Sequence, residues 1–428
     1  MNYKILCKTV SCKIIRIIDS HTITSKTCIC ISTFFVLTLT LTLSYFAIDH
    51  FANANLPILL WWTVEPFPHI GYNDLTLIKC GDVKCHSTNK KHFFNDQLTK
   101  GILFYGTGIS PQDLPLPRNV NHEWGLFHEE SPLNNYILSQ ENFMQLFNHT
   151  ATFKRESDYP LSTQDVFSME YLMDRKPVDI QIKNMKRKNE GFAALMYTQS
   201  HVSVPSFRDM YVKELMKYIK IDSYGACLHN KDLPDNLSKA EESFQKDEFL
   251  DFIANYKFHL SFENAVCDDY MTEKLMRPLH LGSVPVYYGS PKAKDWMPNN
   301  NSIIMVNDFK TPKELAEFIK YLDENDEEYL KYLNFKKPHA ETNTLLKDTV
   351  LNRNWGTHDY KYYYYNIEDK VDYYQGFECY VCKEIHKRLN AVQEYEIGVS
   401  KSRPLPKMAN NTHLGCPKPF SPLTDQEM

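Results

Sequence analysis

Arg208 and Lys274 are cations placed where a helix has least use for one. Each stands in the first turns of a predicted helix that follows an apolar run and a loop. Free N–H groups already make a helix start positive, so a cation there makes sense if an anion sits beside it. Either residue alone reads equally well as a solvated surface charge. Two at two helix starts in one half of the chain suit a diphosphate. The first helix is predicted over 207–219, with Val212, Leu215, Met216 and Ile219 at helical spacing. Ahead of Lys274, the apolar run Tyr256–Phe262 ends in Glu263 and Asn264. A polar pair at the end of a buried strand must find partners, either a ligand or the loop that follows. A short acidic loop, the Lys274 helix and a buried strand Val284–Tyr288 complete a strand–loop–helix–strand unit. Such units place ligands at the carboxyl ends of parallel strands.

The same stretch resembles the signature of the α1,3-fucosyltransferase family. Phe262-Glu263-Asn264-Ala265, Tyr270-Met271-Thr272-Glu273-Lys274-Leu275 and Gly282-Ser283-Val284-Pro285-Val286 fall in its order and register. The resemblance implies a GT-B fold, with two Rossmann-like domains facing a cleft. It puts GDP-L-fucose in the second half and the acceptor against the first. Arg208 and Lys274 then hold the diphosphate, while Tyr270, Glu273, Glu263 and Asn264 are the further donor-contact candidates. Glu130-Ser131-Pro132 matches the Glu-Ser-Pro of the family's acceptor side, so Glu130 is the candidate base for an inverting transfer. Glu129 is its rival, adjacent and on the opposite face of an extended chain. No D-x-D occurs in the chain, so no metal or other cofactor is expected to be required.

Departures from the common pattern are also informative. Pro278 lies inside the signature helix and should kink or shorten it. Phe-His-Glu-Glu-Ser-Pro at 127–132 and Tyr287-Tyr288-Gly289-Ser290-Pro291 resemble a divergent branch of the family. That branch implies transfer to Ser/Thr of small disulfide-rich (EMI-type) protein domains, or to GlcNAc of N-glycans in α1,3 linkage. The competing readings are a GT-B transferase for another nucleotide sugar, and an inert lumenal lectin or chaperone-like protein.

Five segments are expected: a cytosolic tail 1–27, a transmembrane signal anchor 28–48, an acceptor domain 56–190, a donor domain 191–390 and a poorly ordered tail 391–428. The anchor is charge-free and follows Lys4, Lys8, Lys13, Arg16 and Lys26, which predicts a type II orientation with the catalytic part lumenal, in the Golgi or endoplasmic reticulum membrane. The polar, basic stretch 174–190 reads as a linker. Seven of the 11 cysteines follow the anchor, and lumenal cysteines are by default disulfides. Cys80 and Cys85, and Cys379 and Cys382, are close pairs in loop-like surroundings, with Cys227, Cys267 and Cys416 unassigned. Asn148, Asn236, Asn300 and Asn410 are glycan acceptor sequons. A formal charge of −5, with no lysine-rich run, gives no sign of nucleic acid as a partner. The expected partners are GDP-fucose, glycoprotein acceptors and the membrane.

Overall fold

The computed structural model describes residues 53–63, 67–69, 74–201, 204–237, 247–340, 342–356 and 371–416. The chain divides into a unit ending at Leu56 and a unit Pro57–Met428. Everything below concerns the second. The expected anchor, 28–48, lies outside the described residues. Among the described residues no helix is long and apolar enough to cross a membrane.

Two sheets, one in each half, organise this unit. The first contains β1 (Ile58–Trp61), β2 (Thr76–Cys80), β3 (Val83–Thr88), β4 (Thr99–Tyr105), β5 (Glu123–His128) and β6 (His149–Thr152), in the order β2-β3-β1-β4-β5-β6. Only the β2–β3 pair is antiparallel. The second contains β7 (Leu195–Tyr197), β8 (Ile221–Ser223), β9 (Phe258–Phe262), β10 (Val284–Tyr288) and β11 (Ile304–Met305), all parallel, in the order β11-β10-β9-β7-β8. Strands such as β9 and β10 are buried at every residue, the pattern of a parallel sheet covered on both faces. Doubly wound halves of this kind are the expected architecture.

The halves are joined differently from the expected boundaries. Ile180–Asn189, read as linker, is a helix of the second half. Its Lys183 is fully buried and donates to Tyr256 O (2.9 Å), Gly282 O (3.1 Å) and Ser283 Oγ (3.1 Å). The polar sequence hid this, because one lysine with a long apolar stem can serve as a core residue. The true outbound crossing precedes it. Arg353, on the return path, donates to Thr163 O (2.6 Å), Val166 O (2.6 Å) and Phe167 O (2.9 Å), stapling the two crossing segments together.

The chain then re-enters the first half as a long helix, Tyr373–Glu396. Gly101 on β4 and Gly125 on β5 let it lie close. A Cβ at Gly101 would come within 3.0 Å of Ile385, and one at Gly125 within 3.0 Å of Phe377. On this helix Cys379 and Cys382 are one turn apart and face the β2–β3 hairpin. The disulfides are therefore Cys80–Cys379 and Cys85–Cys382, not bridges within each close pair. Cys267 pairs with Cys416, and Cys227 keeps a buried thiol. The tail, expected to be poorly ordered, is tied down as far as Cys416: Ala409 N donates to Phe147 O (2.8 Å), and Leu414 is buried. Asn148 also holds it, donating to Lys407 O (2.5 Å) while its own Oδ1 accepts from Trp124 N (2.7 Å). With 2% exposure and both amide atoms bonded, Asn148 is no glycan acceptor in the folded chain. Asn236, Asn300 and Asn410 are exposed.

Candidate active site

Lys274 is the second residue of the helix Glu273–Leu281, and its N–H is capped by the Thr272 side chain. Its Nζ lies 3.0 Å from Glu273 Oε1, 3.2 Å from Thr272 Oγ1 and 3.9 Å from Glu263 Oε2. Burial works against its charge, but Glu273 and Glu263 outweigh it and hold its pKa above the ordinary lysine range. Glu263 has no exposed surface, and its two oxygens accept from Thr272 N and Oγ1, both at 2.8 Å. It therefore closes the acidic loop and backs Lys274 instead of reaching a ligand, which corrects its expected role as a donor contact. Burial pushes its carboxyl up to about 7. Glu273 is the more accessible carboxylate. Burial opposes its ionisation, but Lys274 and Arg277 prevail and hold it well below the usual range. A third carboxyl, Asp165 of the outbound crossing, is raised by burial and then by Glu273 and Glu263.

Pro278 neither breaks nor ends this helix, which runs on to a left-handed cap at Gly282. With no N–H, Pro278 leaves the Lys274 carbonyl four residues back without its helical donor. Beside the helix lies a cavity of about 390 Å³. Lys274, Glu273 and Arg277 line one wall, Thr198 to His201 follow β7 along another, and His259 to Ser261 of β9 form its floor. β7 and β9 are neighbours whose connections leave in opposite directions, the switch point where open α/β sheets bind ligands.

Arg208 begins the helix Arg208–Leu215, shorter than expected, after Phe207 in a left-handed conformation (φ 53°). Its guanidinium is buried, not cleft-lining. It donates to Phe262 O (3.0 Å) and His201 O (3.3 Å), while Nε has no partner among the described residues. It thus links the ends of β9 and the loop after β7, and its charge acts on the Lys274 site from behind. Asn264 is half-buried, and its Oδ1 has no partner among the described residues.

On the other side of the cleft β5 ends at His128, and the next two residues diverge. Glu130 Oε2 accepts from Asn134 Nδ2 (3.1 Å), Ser131 N (3.3 Å) and the Tyr270 hydroxyl (3.2 Å). Glu129 turns inward, accepting from Tyr105 OH (2.9 Å), with its Oε2 buried and unpartnered among the described residues. Burial raises its carboxyl to about 7, and Glu130 adds to the shift. Tyr270, expected to touch the sugar nucleotide, is 1% exposed; its hydroxyl is spent on Glu130. A carboxylate of one half is therefore bonded to a tyrosine of the loop that leads into the cation-lined cavity of the other. Such a site can bind a diphosphate and take a proton from a hydroxyl presented opposite it.

Comparison with known proteins shows the family of the chain. The profile described as fucosyltransferase, N-terminal, matches residues 53–163, and that of glycosyltransferase family 10 (fucosyltransferase), C-terminal, matches 185–397. The chain belongs to glycosyltransferase family 10. It is 46% identical over 374 residues to GDP-fucose protein O-fucosyltransferase 3 of Homo sapiens, covering 86% of this chain and 74% of that protein. With the Xenopus tropicalis protein of the same name it shares 44% over 366 residues, 85% of this chain and 73% of that protein. A crystal structure of an α1,3-fucosyltransferase with GDP-fucose is 17% identical, with a TM-score of 0.40 over 71% of this chain and 92% of that one.

Of the residues singled out in this family-10 sequence, Lys274 and Glu273 line the cavity, Glu130 accepts from the buried Tyr270, Arg208 and Glu263 are buried, and Asn264 is half-buried. Sequence reading missed Arg277 and Asp165. Arg277 had a readable signal, three residues after Lys274 on the same helix face. Asp165 had none, because it lies in a crossing segment without periodicity.

Proposed function

We propose that the protein transfers L-fucose from GDP-fucose, with inversion, to a Ser or Thr hydroxyl of a disulfide-rich protein domain. The observation that carries this reading is the cavity lined by Lys274, Glu273 and Arg277 at the β7/β9 switch point, with Glu130 of the first half bonded to Tyr270 of the loop that leads into Lys274. GDP fits the cavity, with Lys274 and Arg277 meeting the phosphates. Glu273, the more accessible carboxylate, is released for the sugar or ribose as Lys274 turns to the phosphates, and the Asn264 amide is a second candidate contact. Glu130 takes the acceptor proton as the bond from fucose to phosphate breaks, and the cations stabilise the departing GDP. The charge for that step comes from Lys274, Arg277 and Arg208, so activity is expected to survive chelation by EDTA. The relatives' names speak for a protein acceptor. The apolar stretch 28–48, the three disulfides and the exposed sequons support a type II anchor with the site in the lumen of the endoplasmic reticulum or Golgi.

The test is incubation of the purified chain with GDP-fucose and either an EMI-type domain or an N-glycosylated protein, followed by site mapping by mass spectrometry. Deoxyhexose on Ser or Thr is expected. Deoxyhexose on GlcNAc alone would reassign the acceptor, and none from GDP-fucose would remove the donor reading.

A further inference from the structure

The base and the donor cavity belong to different halves, so their spacing must be fixed by something that spans both. Residues 267–270 do so four times within four positions. Cys267 is bonded to Cys416, whose segment is tied to Phe147 and Asn148 of the first half. Asp269 is gripped by Arg155, which follows β6: Nε lies 3.0 and 2.9 Å from the two carboxylate oxygens, Nη2 lies 2.6 Å from one, and the Arg155 N–H donates at 3.2 Å. The Tyr270 ring meets Phe153 edge-on at 5.1 Å, and its hydroxyl reaches Glu130.

Asp269 is the pivot of this arrangement. It is fully buried, has φ 62°, and takes a further bond from Trp296 Nε1 at 2.9 Å. Its own N–H donates to Ser290 Oγ at 2.8 Å. A buried carboxylate is tolerated only with such partners, and removing one of them is far more costly than never having had the pair. Burial resists its ionisation, but Arg155 and Trp296 overcome this and hold its carboxyl below the ordinary range. The left-handed turn at Asp269 sets the direction in which Tyr270 leaves.

We infer that Arg155 and Asp269 are positioning residues for fucosyl transfer: by locking the loop to the first half they place Tyr270 against Glu130 and set the distance from base to donor. Neither touches a substrate. Their contribution belongs to the chemical step, where an error of about 1 Å can cost about 100-fold, and not to donor binding.

The experiment measures kcat, the KM for GDP-fucose and GDP affinity for Arg155→Ala, Tyr270→Phe and the double variant, with melting temperatures for each. Arg155→Ala is expected to lower kcat by roughly 10–100-fold with GDP affinity changed less than about 3-fold. Tyr270→Phe is expected to lose less, and to cost nothing more in the Arg155→Ala background, because its hydroxyl is already misplaced there. Arg155→Lys should regain part of the rate, as a point charge meets Asp269 without the two-pronged grip. If Arg155→Ala does not fold, Arg155→Lys carries the same readings: a few-fold lower kcat and a diminished effect of Tyr270→Phe. Full kcat in a stable Arg155 variant, a loss confined to GDP affinity, or losses that multiply with Tyr270→Phe would overturn the inference. It rests on Glu130 as the base. That reading has its own failure, wild-type kcat in Glu130→Gln, which is independent of anything seen at Arg155.

Discussion

Lys274 Nζ lies 3.9 Å from a carboxylate oxygen of Glu263, a residue with no exposed surface. Before a ligand arrives, the cation of the donor site is therefore held partly neutralised by carboxyls, one of which titrates at about 7. A diphosphate draws Lys274 toward itself and brings negative charge close to Glu263, and both changes favour the protonated carboxyl. GDP binding near pH 7 should accordingly take up protons. Calorimetry in two buffers of different ionisation enthalpy would show different apparent enthalpies. Identical enthalpies would mean that Glu263 keeps its charge state when the site fills.

Lys274 and Arg208 are expected to behave differently, although the sequence presents them as equivalents. Lys274 meets the cavity, so Lys274→Ala should weaken GDP binding and slow transfer in a protein that melts near the wild-type temperature. Arg208 is buried and bonded to Phe262 O and His201 O. Arg208→Ala takes this donor from the buried Phe262 carbonyl and the part-buried His201 carbonyl and opens a void, so it should also cost about 3 kcal/mol of stability. Calorimetric GDP affinity with denaturant unfolding for both variants separates the two effects; an Arg208→Ala protein of wild-type stability contradicts this assignment.

Glu130→Gln keeps the shape of the proposed base and removes its proton affinity. Transfer should fall by about two to four orders of magnitude with GDP binding retained. Glu129 points the other way, onto Tyr105, so Glu129→Gln should reduce the rate far less. If Glu129→Gln were the inactive variant, the inward carboxyl with its unpartnered oxygen would be the base.

What could be read from the sequence follows a physical line. Strands such as β9 and β10 and the Thr272-capped helix are specified by local apolar runs and caps, and they appear where expected. Lys274 is legible because it shares its helix-start placement with Arg208 and falls in register with the family signature. Arg155–Asp269, the buried Lys183 and the disulfides depend instead on which distant elements meet. Cys382 faces Cys85, 297 residues earlier, because the Tyr373–Glu396 helix lies across the hairpin; local spacing suggests the nearer partners. Glu263 and Glu273 look alike in sequence, and only burial separates the enclosed carboxyl from the accessible one.

The raised carboxyls of Glu263 and Glu129 each contribute to stability with a definite sign. Each moves from an ordinary 4.5 to about 7 in the folded chain. Between those values the folded chain holds protons that the unfolded chain has released, so each contribution is lost as pH rises from about 4.5 to 7. Buried histidines act in the opposite sense: burial lowers His128, His259 and His280 from 6.5 to about 4, 3 and 4, so their contribution grows with pH over an overlapping window. The Glu129 share is isolated by comparing the wild type with Glu129→Gln. The difference in denaturant midpoint should move against the wild type as pH rises from about 4.5 to 7, and a difference independent of pH would show that Glu129 keeps an ordinary carboxyl.

The crosswise disulfides can be tested directly. Cys80–Cys379 and Cys85–Cys382 fasten the β2–β3 hairpin to the Tyr373–Glu396 helix, across sequence separations of 299 and 297 residues. Either bond alone closes a loop of that length, so loss of both should cost about 2–5 kcal/mol, and loss of one much less. Non-reducing peptide mapping should recover fragments joining the region of residue 80 to that of residue 380. Fragments in which Cys80 is joined to Cys85 would restore the local pairing. Cys379→Ser should leave Cys80 as a reactive thiol while Cys85–Cys382 persists, because helix and hairpin remain packed through Val381 and Ile385. A Cys379→Ser protein that also frees Cys85 and Cys382 would mean that the covalent bonds, and not the apolar contact, hold the returning helix in place.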